Sequence, residues 1–115
     1  YETKVPELNV DYIKPQENGT HGECRYVTLT DDNGKGIMIH CRKDFFTFNA
    51  HNYSNKTIRK SKHIEDIKDD NLVCLNVDGF VRGTGTNSCG PNTLKQYRID
   101  FDKELSFSFY IIPIA

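Results

Sequence analysis

Apolar and polar residues alternate with a period of two over much of this chain, the signature of strands with one face covered. In ELSFSFYIIPI, Leu105, Phe107, Phe109 and Ile111 fall on one face and Ser106, Ser108 and Tyr110 on the other, which predicts a half-buried strand. LKQYRIDF sets Tyr97, Ile99 and Phe101 against Gln96, Arg98 and Asp100, and only Asp102 and Lys103 separate the two segments. That spacing predicts a tight antiparallel hairpin.

A second hairpin is predicted where ECRYVTLT and IMIHC flank DDNGKG, because Asn33-Gly34 supplies positive φ angles for the turn. LVCLNV, residues 72–77, is apolar on both faces apart from Asn76 and predicts a strand covered from both sides. DFFTFNA, with Phe46 and Phe48 on one side, and LNVDYIK near the start are further strand candidates.

The alternation stops between Ser54 and Ile67. Ser54 is a candidate N-cap, followed by a basic half (Lys56, Arg59, Lys60, Lys62) and an acidic half (Glu65, Asp66, Asp69, Asp70). Ile58, Ile64 and Ile67 make too narrow a stripe for more than one or two surface helical turns. Roughly seven or eight strands with regular turn signals predict an all-β fold, an antiparallel sandwich with one short surface helix.

Composition narrows the function classes. With 115 residues the chain is one domain or part of one. Fifteen basic and 16 acidic residues give a net charge of -1, so no broad positive field invites a nucleic acid. No apolar run reaches membrane-spanning length, so neither a membrane nor a nucleic-acid partner is expected. The chain starts at Tyr1 and its only methionine is Met38, which fits a segment of a longer protein.

Cys24, Cys41, Cys74 and Cys89 contain no CxxC, and Cys41 and Cys74 sit in apolar strand patterns, so reduced cytosolic thiols are expected. Sequons at Asn18, Asn52 and Asn55 point the other way, towards secretion, but such triplets arise easily among ten asparagines.

Candidate chemistry is sparse. GTGTNSCG matches no phosphate-loop spacing. His21, His40, His51 and His63 are scattered and form no ligand pair with a cysteine, so no metal site is expected. Cys89 would need a base such as His51 or His63 brought to it by the fold. Glu17 and Glu23 flank a turn and fit turn architecture better than a glycosidase pair.

Three segments carry a family resemblance. YIKPQENGTHGECRYVTL, FNAHNYSNKTIRKSKH and LNVDGFVRGTGTNSCGP, in this order, resemble segments of the C-terminal domain of large bacterial β-galactosidases of the LacZ type, glycoside hydrolase family 2. The resemblance implies that residues 1–115 form the C-terminal portion of a super-sandwich domain similar in fold to galactose mutarotases, somewhat under half of it. It implies retaining hydrolysis of terminal β-D-galactosides such as lactose by two glutamates about 5 Å apart. Those glutamates, and the magnesium and sodium sites, belong to the family's catalytic barrel, so this segment by itself should hold no catalytic residue, metal or cofactor and be inactive.

What the segment can add is the loop at residues 82–93. The family places a tryptophan there at the mouth of the active site; here Cys89 takes that position, with Asn87 and Ser88 able to offer hydrogen bonds to a sugar hydroxyl. These three are the expected substrate-contacting residues at the active-site edge. His21 stands where relatives carry arginine. Expected partners are the remaining domains of the enzyme and its galactoside, with self-association of the isolated piece through uncovered strand edges; the expected location is cytoplasmic.

Three rival readings accompany this one. A carbohydrate-binding module would need an aromatic platform from Tyr26, Tyr53 or Tyr97. A structural or assembly domain predicts no sugar contact. A mutarotase-like epimerase would need an acid/base pair, for which His40 and Glu17 are the candidates.

Overall fold

The hairpin at residues 26–40 is the best-formed element and shows how locally the chain is specified. In the computed structural model, which describes residues 1–83, 90–100 and 102–115, strands β2 (Tyr26–Thr30) and β3 (Gly36–His40) pair antiparallel from Tyr26 opposite His40 to Thr30 opposite Gly36. Asp31 organises the turn: its carboxylate accepts from the backbone N–H groups of Asn33 (2.8 Å) and Lys35 (3.0 Å). Gly34 alone adopts the left-handed conformation, at φ 78°, so the two positive φ angles expected of Asn33-Gly34 reduce to one. This is the longer hairpin turn that ends on a left-handed glycine.

The fold is all-β in class: six strands among the described residues lie in two three-stranded antiparallel sheets, with one short helix, the two-sheet composition that a sandwich requires. One sheet runs in the order β1 (His21–Cys24), β4 (Phe46–His51), β5 (Cys74–Asp78); the other runs β2-β3-β6, with β6 at Tyr110–Ile114. The chain divides into two units, residues 1–24 with 47–77 and residues 25–46 with 78–115.

In the first unit, helix α1 (Asn55–Lys60) starts where the sequence places it. Ser54 Oγ accepts from the Thr57 N–H at 3.2 Å, and Ile58 is buried. Asp70 anchors this N-terminus by accepting from the Ser54 N–H (2.8 Å) and the Thr57 hydroxyl (2.6 Å). These bonds hold its carboxyl below the usual range. Asp66 accepts from the backbone N–H groups of His63 and Lys62, caps the 3-10 turn Ile64–Asp66, and is likewise held low by those bonds. Asp66 and Asp70 of the acidic half therefore cap turns, while Lys56, Arg59, Lys60 and Lys62 are exposed.

Several strand expectations are corrected. The segment ECRYVTLT is not one strand: it breaks at Arg25, after Glu23 adopts φ 55°, and its halves enter different sheets. LNVDYIK opens in a 3-10 turn, Val5–Leu8, because Pro6 presets the first turn, and the Val10 N–H then bonds Asn18 Oδ1 at 2.8 Å instead of a neighbouring strand. LKQYRIDF forms a 3-10 turn, Lys95–Tyr97, with i→i+3 bonds from Tyr97 and Arg98, so the hairpin expected with ELSFSFYIIPI is absent among the described residues.

In ELSFSFYIIPI only the last five-residue portion, β6, is strand. Its partner β3 ends at His40 opposite Tyr110, and the next residue, Cys41, bonds instead through its N–H to Arg25 O (2.8 Å). The alternation upstream of Tyr110 thus has no ladder partner among the described residues. Leu105, Phe109 and Ile111 are exposed rather than half-buried. In LVCLNV, likewise, Leu72 and Val73 are exposed, and Cys74 to Val77 are half-buried rather than covered on both sides.

Candidate functional site

The loop at residues 82–93 is held at its neck by polar contacts that its own composition supplies. The Thr93 hydroxyl donates to Gly83 O, which brings the ascending and descending arms together. Asn92 Oδ1 accepts from the Thr93 N–H at 2.8 Å and from the Arg82 guanidinium at 3.2 Å. Arg98 Nε–H adds a bond to Thr93 O at 2.7 Å. Thr93 is buried although a threonine, because its N–H, hydroxyl and carbonyl are all bonded. The expected sugar-contacting residues Asn87, Ser88 and Cys89 lie outside the described residues.

The PQENG segment is the second place where sequence and geometry meet. Gly19 adopts φ 65°, and a Cβ there would stand 2.1 Å from Leu8 O, so the backbone approach and the left-handed turn both require glycine. Asn18 ties the turn down: its Oδ1 accepts from Val10 N–H and its Nδ2 donates to Gln16 O at 3.1 Å. Two residues on, His21 donates from Nδ1 to Gly19 O at 2.8 Å and accepts at Nε2 from the Tyr1 hydroxyl. Its ring stacks on Phe48 at 5.3 Å. His21 is therefore a packing and turn residue in the first unit.

His51 went unrecognised as the centre of this unit. It is fully buried at the end of β4; Nδ1 donates to Asn9 Oδ1 at 2.8 Å, the ring stacks on Tyr53 at 5.0 Å, and Nε2 has no hydrogen-bond partner among the described residues. Burial pushes its pKa below the ordinary histidine value, against a weaker opposing pull from the Glu17 charge. The signal for such a role was its place in the apolar alternation of FNAHNY, which any strand residue shares.

The other candidates do not converge. No group of three or more His, Cys, Asp or Glu residues able to hold a metal ion exists among the described residues. Glu17 is exposed in its turn, and Glu23 occupies the strained break before β2. Tyr53 is buried against His51 and offers no platform, whereas Tyr26 and Tyr97 are exposed.

Cys24, Cys41 and Cys74 are free thiols. Cys41 is buried, donating to Ser108 O at 3.5 Å, and partial burial pushes the Cys24 thiol up, which makes it a poor nucleophile. The side-chain amides of all three sequon asparagines are already engaged: Asn18 with Gln16, Asn52 with Asp69, Asn55 with Asn76. No helix of the described residues is long and apolar enough to cross a membrane.

Comparison with known proteins supplies what this geometry does not. The family model described as β-galactosidase small chain matches residues 1–111. A β-galactosidase from Actinobacillus pleuropneumoniae is 31% identical over 112 residues, covering 97% of this chain and 10% of the relative. Those from Staphylococcus xylosus (32% over 107 residues; 93% and 10%) and Kluyveromyces lactis (29% over 113 residues; 95% and 11%) are similar in the same way. The chain thus spans about a tenth of the length of the curated relatives it matches.

Proposed function

Because the chain belongs to the β-galactosidase small chain family, we propose that it works as the C-terminal part of a larger β-galactosidase, one that hydrolyses terminal β-D-galactosides with retention in the cytoplasm. The family match over residues 1–111 carries this reading. In it, the catalytic glutamates and the magnesium and sodium sites lie in the rest of the enzyme, and this segment alone is inactive. The loop with the Gly83–Thr93 neck is presented to the edge of the active site, where Asn87 and Ser88 hydrogen-bond sugar hydroxyls. Cys89, smaller than the tryptophan that the resemblance leads one to expect, contributes a reduced contact surface there.

The test is kinetic and uses the full-length parent. Replacing Asn87, Ser88 and Cys89 together by glycine raises KM or lowers kcat if the loop lines the site; unchanged kinetics overturns the loop's role while leaving family membership untouched.

A second reading, that the segment contributes only by packing against other domains, is favoured by the exposed apolar residues of β6. Tyr110, Ile111 and Ile112 are 53%, 62% and 43% exposed, a surface that a neighbouring domain of the enzyme would cover.

A further inference from the structure

The free edge of the sheet β2-β3-β6 is set by the alternation of its backbone bonds. The Cys41 N–H bonds Arg25 O and the Asp31 N–H bonds Lys35 O, each at 2.8 Å, so along residues 35–41 the odd-numbered positions turn their backbone groups to β2. The even-numbered positions, Gly36, Met38 and His40, then face β6 and bond Ile114, Ile112 and Tyr110. Within β6, Ile111 and Pro113 therefore direct their backbone groups away from β3, and no other strand among the described residues meets them.

Such an edge accepts another strand unless charge, proline or a covering element prevents it. No residue from Leu105 to Ala115 carries a charged side chain, so nothing repels a second strand of the same sequence. Pro113 sits opposite Ile37, where it costs the β3 ladder no bond, because its missing N–H would point outward. Its effect falls on the free edge alone. That edge keeps the N–H and C=O of Ile111 and only the C=O of Pro113.

A second copy of the same strand satisfies these groups. In an antiparallel pairing with the two-fold axis at Ile111, the N–H and C=O of Ile111 in one copy exchange both bonds with those of Ile111 in the other. The Phe109 N–H then faces the Pro113 C=O across the axis. Centring the axis on Ile112 instead sets Pro113 opposite Ile111 and loses one bond of each such pair. The side chains suit the first register as well, since opposed residues share a face. Tyr110, 53% exposed, lies beside Ile112 of the second copy, 43% exposed, an aromatic and β-branched pair formed twice.

We infer that β6 is a self-association edge through which two copies of the chain join their sheets in the order β2-β3-β6-β6-β3-β2, with Ile111 on the two-fold axis and Pro113 limiting the ladder. The inference rests on the register of this sheet and not on the hydrolytic reading. It uses the edge of β6 and leaves its faces open.

Sedimentation velocity of the chain over a concentration series, with amide hydrogen exchange at both ends of the series, tests it. The expected result is a dimer with a dissociation constant on the order of 100 µM, so that dilute chain is monomeric. Exchange at Ile111 slows as concentration rises, whereas Tyr110 and Ile112, bonded to β3, are protected throughout. Ile111→Lys sets two like charges on the axis and weakens the dimer about tenfold or more, while Pro113→Val supplies the missing donor and tightens it about tenfold. Continued protection of Tyr110 and Ile112 verifies that each variant keeps its sheet. A chain that stays monomeric to about 1 mM, a dimer that leaves Ile111 exchange unchanged, or Pro113→Val without a gain overturns the proposal. None of these outcomes bears on the kinetics of the full-length parent.

Discussion

The two units of this chain solve opposite problems. Residues 1–24 with 47–77 hold themselves by polar bonds, part-buried from His51 to Asn9 and from Asn76 to Asn49, exposed from Asp70 to Ser54 and Thr57 and from Asn18 to Val10. Residues 25–46 with 78–115 contain a well-registered sheet whose last strand is apolar and exposed. Opposed residues Val27, Ile39 and Ile111 share one face of that sheet, yet they pass from half-buried through 3% to 62% exposed. The covering layer fails at the edge strand. Polar bonds complete a unit from within, whereas an apolar face is completed only by something laid on it.

The largest expected difference between the units is the cost of truncating an isoleucine in each. Ile58→Ala, at a position only 8% exposed, lowers unfolding stability by about 2 to 5 kcal/mol, whereas Ile111→Ala changes it by about 0.5 kcal/mol or less. Urea midpoints of the two variants check this; equal losses would mean that β6 is covered in solution and would break the contrast.

A pH dependence separates the units next. The folded-state pKa of His51 is depressed, so below the ordinary value of about 6.5 the unfolded chain binds a proton that the folded chain resists. Stability falls as pH drops through that value and levels off below the folded pKa. Urea midpoints at neutral and mildly acidic pH show the fall in the native chain, and His51→Gln removes this part of it. An identical slope in both proteins would show that His51 is not buried neutral.

The smallest effect sharpens the role of polar capping. Ser54→Ala removes the acceptor for the Thr57 N–H and costs about 1 kcal/mol, again read from the urea midpoint. A loss near zero would mean that Asp70 alone holds the helix start.

Legibility followed the range of the interactions involved. The β2–β3 hairpin and the Ser54 cap were readable because each rests on bonds between residues at most a few positions apart, from Asp31 to Lys35 and from Ser54 to Thr57. The strands expected at residues 8–14 and 94–101 showed equally clear alternation, but alternation reports only which side chains share a face. A strand also needs a ladder partner, and none reaches either segment among the described residues. The same limit hid the break at Arg25, where one alternating run supplies strands to two sheets. In the candidate segment at residues 82–93, the bond from Thr93 to Gly83 links residues ten apart that no pattern connects.

The amino-acid order by itself determined the all-β class, the Asp31–Gly34 turn, the helix start at Ser54 and the kinship with β-galactosidases, because these depend on local backbone preferences or on motif identity. Tertiary structure alone decided that His51 is buried and Ile111 exposed, that Asp69 is engaged by Asn52, and which strand stands at the edge of its sheet. Burial and pairing are properties of what lies opposite a residue across the fold, and distance along the chain carries no record of that neighbour.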